Sequence, residues 1–186
     1  MAHDRLGFIE VLKQSYSIYY NVIPNEGLTE LPLAFRCDFF SSGEKYFLIK
    51  SARIWGNETN EYVYLFSAPS FTPELMRQCV DYTLEDGLPR VKPHKEHQYT
   101  NLIVVFLADS IGRDEENTVK KFKFSKSYNH SLWGYTLLKT AGVDLSTEKV
   151  CTNSAGHDLT GFYKKLFAAR KEDGPAGRNK NLSLKE

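Results

Sequence analysis

His94 and His97 stand three residues apart, a spacing at which two imidazoles can share one metal ion, with Lys95 and Glu96 between them. A zinc site needs four converging nitrogen, sulfur or oxygen ligands, or three and a water. The pair supplies two, and Glu96 occupies the wrong place for an H-E-x-x-H motif. The histidines therefore read as solvent-exposed loop residues, and no metal site is expected. Cys151 lies near His157 and Asp158, residue types that share the work of nucleophilic catalysis. A reactive thiolate needs a helix N-terminus or a neighbouring cation. Cys151 instead falls in a strand-like run, where a small buried hydrophobe is its ordinary role. Ser154, two residues before Gly156, does not complete a G-x-S-x-G elbow. His157 and Asp158 read as the start of the last helix, Asp158 near its positive end.

Lys120, Lys121, Lys123 and Lys126 are interleaved with Phe122, Phe124 and Tyr128, and Arg90, Lys92 and Lys95 are within reach of them across a fold. Lysines bind phosphates and aromatic rings stack on bases, so these four lysines are the candidate nucleic-acid contacts. The same pattern arises when lysines form the wet face of an amphipathic element and phenylalanines its core side. The acidic run at 114–116 lowers the local potential. Neither G-x-x-x-x-G-K-[ST] nor G-x-G-x-x-G occurs, so no nucleotide cofactor is expected.

The composition bounds the rest. The 186 residues include 24 basic and 23 acidic ones, a net charge of +1 that gives no general attraction to nucleic acid or anionic membrane. A hydrophobic fraction of 41%, with 12 Phe and 11 Tyr, can bury a core without disulfides or metals. Three widely spaced cysteines do not make a secreted disulfide framework. The N-terminal residues lack the basic start and apolar run of a signal peptide, and no segment is apolar enough to span a bilayer. The expectation is a cytoplasmic protein that does not engage a membrane.

Several elements are needed to position these groups. Apolar residues at Leu6, Phe8, Ile9, Leu12, Tyr16 and Tyr19 form one face of a helix from Asp4, and the chain then breaks at Pro24, Asn25 and Gly27. Strand-like runs at 33–40, 45–54 and 61–68, joined by tight turns, predict a three-stranded antiparallel meander. Thr72, Pro73 and Glu74 open a helix, Phe71 and Met76 staple it, and Gly87 with Pro89 ends it. Residues 101–108 read as a buried strand, parallel to 61–68 across the helix. Residues 115–124 suit either a helix or an edge strand, and the helix is adopted. A hairpin at 135–143 and 148–153 and a helix at 159–169 complete a single α/β domain over 1–170, with a mobile tail at 171–186.

This order, an αβββαβ core with a mixed sheet, a C-terminal hairpin and a helix, resembles the restriction-endonuclease-like, or PD-(D/E)XK, superfamily over about residues 4–108. In that superfamily an acid on the second strand and an acid-x-Lys triplet on the third hold Mg²⁺ and activate a water against a phosphodiester. The resemblance implies Glu44, or Asp38 on the preceding strand, as the first acid. It implies Glu61 as the acid of the triplet. Tyr62 and Val63 follow Glu61, so the lysine would have to come from Lys50. Charges at turns and strand ends are ordinarily just hydrated, and fold does not imply activity. The reading adopted is therefore a non-enzymatic domain on an endonuclease-like scaffold, which binds a protein partner or self-associates. A divergent Mg²⁺-dependent nuclease and a nucleic-acid binder without cleavage are the alternatives.

Overall fold

Strand-forming residues in the middle of the chain are apolar at nearly every position because both faces of the sheet they build are covered. A computed structural model describes residues 4–40 and 58–173. The elements in chain order are α1 (Arg5–Ser17), β1 (Asn21–Pro24), β2 (Leu33–Phe40), β3 (Glu58–Ala68), α2 (Pro73–Gly87), β4 (His97–Ala108), α3 (Arg113–Lys121), β5 (Ser125–Ser127), β6 (Tyr135–Asp144), β7 (Lys149–Thr152) and α4 (Leu159–Asp173). They form one mixed sheet in the order β1-β2-β3-β4-β6-β5, with β7 also paired to β6. β1, β2 and β3 are antiparallel neighbours, whereas β3, β4 and β6 run parallel. β5 and β7 pair antiparallel with opposite ends of β6.

The period-2 alternation of strand side chains splits the core into two layers. Phe35, Cys37, Val63, Leu65, Ile103, Val105, Ala141 and Val143 face α1 and α4, which contribute Phe8, Leu12, Tyr16, Tyr163 and Phe167. Tyr62, Tyr64, Phe66, Leu102, Val104, Phe106 and Leu138 face α2, which contributes Met76, Cys79 and Val80. Each such large side chain removed from water stabilises the fold by about 1.5–3 kcal/mol. The first layer ties the early part of the chain to its last helix: Phe8 stacks on Phe167 at 5.1 Å, and the Tyr16 and Tyr163 hydroxyls are hydrogen-bonded at 2.9 Å.

The mixed sheet, the parallel 61–68/101–108 pair, the hairpin and the capped second helix match the expectation, and Thr72 Oγ1 accepts from the Leu75 N–H at 3.1 Å. The meander exists with different members. Among the described residues β2 bonds directly to β3, and the strand expected at 45–54 lies outside the described residues. The third member is β1, which ends at Pro24, the first residue of the predicted break. Proline is tolerated there because β1 is an edge strand.

Residues 115–124 divide: helix α3 stops at Lys121, and Phe122 is extended and leads into β5. Of the residues expected on the core face of the first helix, Leu6 (71% exposed) faces solvent, and Tyr19 (53%) lies in the turn beyond the end of α1. α4 continues to Asp173, past the expected start of the tail, and 174–186 lie outside the described residues. No helix among the described residues is long and apolar enough to cross a membrane.

Candidate functional site

Alternation on β3 sends Tyr62 and Tyr64 toward α2 and Glu61 and Val63 toward α1 and α4. Glu61 is the charged group of its row. It stands opposite Phe39 on β2 and Asn101 on β4. Two neutral donors hold its carboxylate: the Tyr20 hydroxyl bonds Oε2, and Asn101 Nδ2 bonds Oε1 at 3.0 Å. Tyr20 reaches it because α1 ends at Ser17 and the next turn folds back, with the Tyr19 and Tyr20 amides both bonded to the Tyr16 carbonyl. Burial, reinforced by the adjacent Glu61 carboxylate, pushes the Tyr20 phenol far above its ordinary range, so it stays a donor at any physiological pH.

Around this carboxylate the sequence places rings. Phe39, Tyr20, Tyr16 and Phe162 form a continuous wall with successive centroids 5.3, 5.2 and 5.3 Å apart. Ile18, Tyr19 and Tyr99 extend it toward solvent, and Tyr99 is stacked on Tyr135 at 6.0 Å. The wall encloses a cleft of about 480 Å³ between the end of α1, the start of α4 and the first residues of β3 and β4. Asp158, just before α4, also lines it and pairs with Lys139 Nζ at 2.7 Å. A half-open aromatic space of this size, with one oriented carboxylate, has the character of a ligand pocket.

Asp38 is directed the other way. On the α2 side it meets Arg90, and its second oxygen faces Arg36 Nε at 3.7 Å, beyond hydrogen-bond reach. Asp86 completes the cluster, accepting from Arg36 (2.9 Å), Arg90 (3.3 Å) and the Tyr64 hydroxyl (2.5 Å). Arg90 lies 4.0 Å over the Tyr62 ring. Burial opposes the charge on Arg90, but the hydrogen bond to Asp38 outweighs it and raises its pKa. Two acids balance two guanidinium groups here, which makes this a structural clamp between β2, β3 and the end of α2.

Glu44 and Lys50 lie outside the described residues. Lys120 pairs with Glu116 one turn back, Lys126 sits 5.5 Å from the Tyr128 ring, and Lys121 and Lys123 are exposed. Phe122 and Phe124 pack against the α2-side core. His97 is corrected: it is 3% exposed, with Nδ1 donating to the Trp133 carbonyl at 2.7 Å and Nε2 meeting Thr100 Oγ1 at 2.9 Å. His94 faces Glu58 at 2.9 Å instead of joining it. Burial raises the Cys151 thiol to about 11, and His157 is exposed beyond the Ser154–Gly156 turn. Among the described residues, no group of three or more His, Cys, Asp or Glu side chains could hold a metal.

Tyr16, Tyr20 and Phe162 complete the cleft, Asn101 holds its carboxylate, and none of them carries a local motif; the excess of tyrosine and phenylalanine was the only trace of the cleft in the sequence. The family model described as a domain of unknown function, DUF8052, matches residues 4–165. No curated protein matches the chain, and no solved structure does.

Proposed function

We infer, from the premise that this chain belongs to the DUF8052 family, that it is a non-enzymatic binding domain whose ligand occupies the aromatic cleft around Glu61. The observation that carries the reading is the make-up of that cleft: about 480 Å³, walled by rings, with a carboxylate already held by two neutral donors. Binding sites are concave, mostly apolar and oriented by a few polar groups.

The order of β1 to β4 supports an endonuclease-like scaffold beneath it. On that scaffold the position of β2 beside Glu61 holds Phe39 instead of an acid. Two residues after Glu61 stands Val63 instead of a lysine. The described residues therefore do not fit a Mg²⁺ site, and no hydrolytic step is built on them. Three free thiols with no disulfide support a reducing compartment such as the cytoplasm.

A fragment screen on the full chain, read by the NMR signals of its tyrosines, tests the reading. Binders should shift Tyr16, Tyr19, Tyr20 and Tyr99, and a Ser15→Trp plug in the cleft lining should abolish the shifts. Shifts confined to other regions would refute it. Cleavage of plasmid or RNA that needs Mg²⁺ or Mn²⁺ and is lost in Glu61→Ala would replace it with the nuclease alternative.

A further inference from the structure

We propose that the cleft takes a small organic cation, an N-alkylated ammonium whose charge faces Glu61 and whose alkyl groups lie against the tyrosine rings; the proposal rests on the binding-domain reading above. Among the described residues, those lining the cleft include two acids, Glu61 and Asp158, and no lysine, arginine or histidine. Asp158 is neutralised by Lys139. Glu61 makes no ion pair among the described residues and is held by a phenol and an amide alone. Its charge sits half-buried, where water and salt screen it less than at an open surface.

Three ligand classes can be weighed against that charge. An anion would meet the Glu61 carboxylate, and the one cation described beside the lining, Lys139, is already paired with Asp158. A neutral apolar ligand would match the rings but would strip water from Glu61 without replacing it, an unfavourable exchange. A cation satisfies both parts, because aromatic faces carry the negative end of the ring quadrupole and attract cations lying over them.

The kind of cation follows from the hydrogen bonds. Each oxygen of Glu61 already accepts one, from Tyr20 and from Asn101. What the site offers is field and apolar surface more than free lone pairs. A diffuse, alkylated ammonium with little need of acceptors suits that offer better than a strongly hydrated primary amine.

Choline and 3,3-dimethylbutan-1-ol differ only in the charged nitrogen and its neutral carbon replacement. Each is titrated into the full chain while the cleft tyrosine signals are followed. Choline should bind about tenfold more tightly than the alcohol. Glu61→Gln should remove that preference while leaving the weaker binding of the alcohol. Tyr19→Leu, at a solvent-facing rim position outside the buried core, should reduce the preference independently. Equal affinity for the two probes in the unaltered protein would overturn the cation assignment and leave the binding-domain reading standing. Absence of shifts with either probe, while other fragments still bind in the cleft, would overturn the assignment alone. Absence of shifts with every compound would overturn both.

Discussion

Asp38 pairs with Tyr62 in the β2–β3 ladder, one position beyond Glu61, and the two carboxylates leave the sheet on opposite faces. Both are acids on neighbouring strands, yet they do different work. Asp38 is bound into a balanced cluster of two arginines and two aspartates. Glu61 faces an aromatic cleft with neutral partners. A single step in register, which inverts the face of a strand side chain, keeps them from acting on one substrate.

Removing Asp38 leaves two partly buried guanidinium groups to share Asp86. Asp38→Ala should therefore destabilise the protein by about 3 kcal/mol, as expected when one member of a buried ion cluster is deleted. Glu61→Gln breaks no ion pair among the described residues and should cost about 1 kcal/mol. Urea unfolding of the two variants checks the contrast; equal losses would make Glu61 a structural residue like Asp38.

Asn153 is 2% exposed and uses its whole amide. Its Nδ2 donates to the carbonyls of Phe122 and Leu138, both at 3.0 Å, and its Oδ1 accepts from the amides of Thr140 (3.1 Å) and Gly156 (2.9 Å). It thereby joins the end of α3, β6 and the turn before α4. Asn153→Ala strands these backbone groups and should cost about 3 kcal/mol or more. Asn153→Asp keeps the acceptor but sets an anion against two carbonyls, and should be no better. Thermal melts of both variants provide the measurement.

Asp144 closes β6. Burial acts to raise its pKa, but the Ile111 amide, the Ser146 hydroxyl and the Thr147 amide donate to it and leave it lowered. A lowered folded-state pKa means that Asp144 contributes stability above the ordinary carboxylate pKa of about 4 and loses it as pH falls below that value. Asp144→Asn should flatten this part of the acid limb in a stability-against-pH series. An unchanged acid limb would assign the acid sensitivity to other carboxylates.

Burial raises Cys37 and Cys79 to about 12, and burial with the charge of Glu116 raises Cys151 to about 11. At pH 7.5 each thiol is almost entirely protonated, and the thiolate is the reactive form. Ellman's reagent should titrate the native chain far more slowly than the urea-unfolded chain, which should release three equivalents, one for each of its three cysteines. Rapid reaction of Cys151 in the native state would reopen the nucleophile reading set aside on sequence grounds.

Local chemistry made some of this structure legible. Thr72 and Pro73 start α2 by capping one amide and removing the need for another, and both signals are adjacent letters. β4 declared itself because a strand covered on both faces must be apolar throughout. β1 did not, since four residues ending in proline become a strand only through pairing with β2. His97 looked like a loop residue because nothing near it in sequence shows the Trp133 carbonyl that buries it. Glu61 drew attention as a metal ligand, whereas its actual neighbours come from the far sides of the chain: Tyr20 lies 41 positions away and Asn101 40. Aromatic residues along the chain were legible as core; that some of them line an open cleft depends on where two helices end.

The cleft draws its walls from residues 15–20, Phe39, and residues 59–63, 99–103 and 158–162. No contiguous stretch of the chain holds enough of it to bind anything. During synthesis, a chain still lacking Phe162 has no enclosed pocket, however well its first strands have paired. Occupancy by a ligand would thus act as a certificate of completion: it can be collected only once both ends of the domain have met across the sheet, and it would favour the finished protein over every shorter or half-docked form.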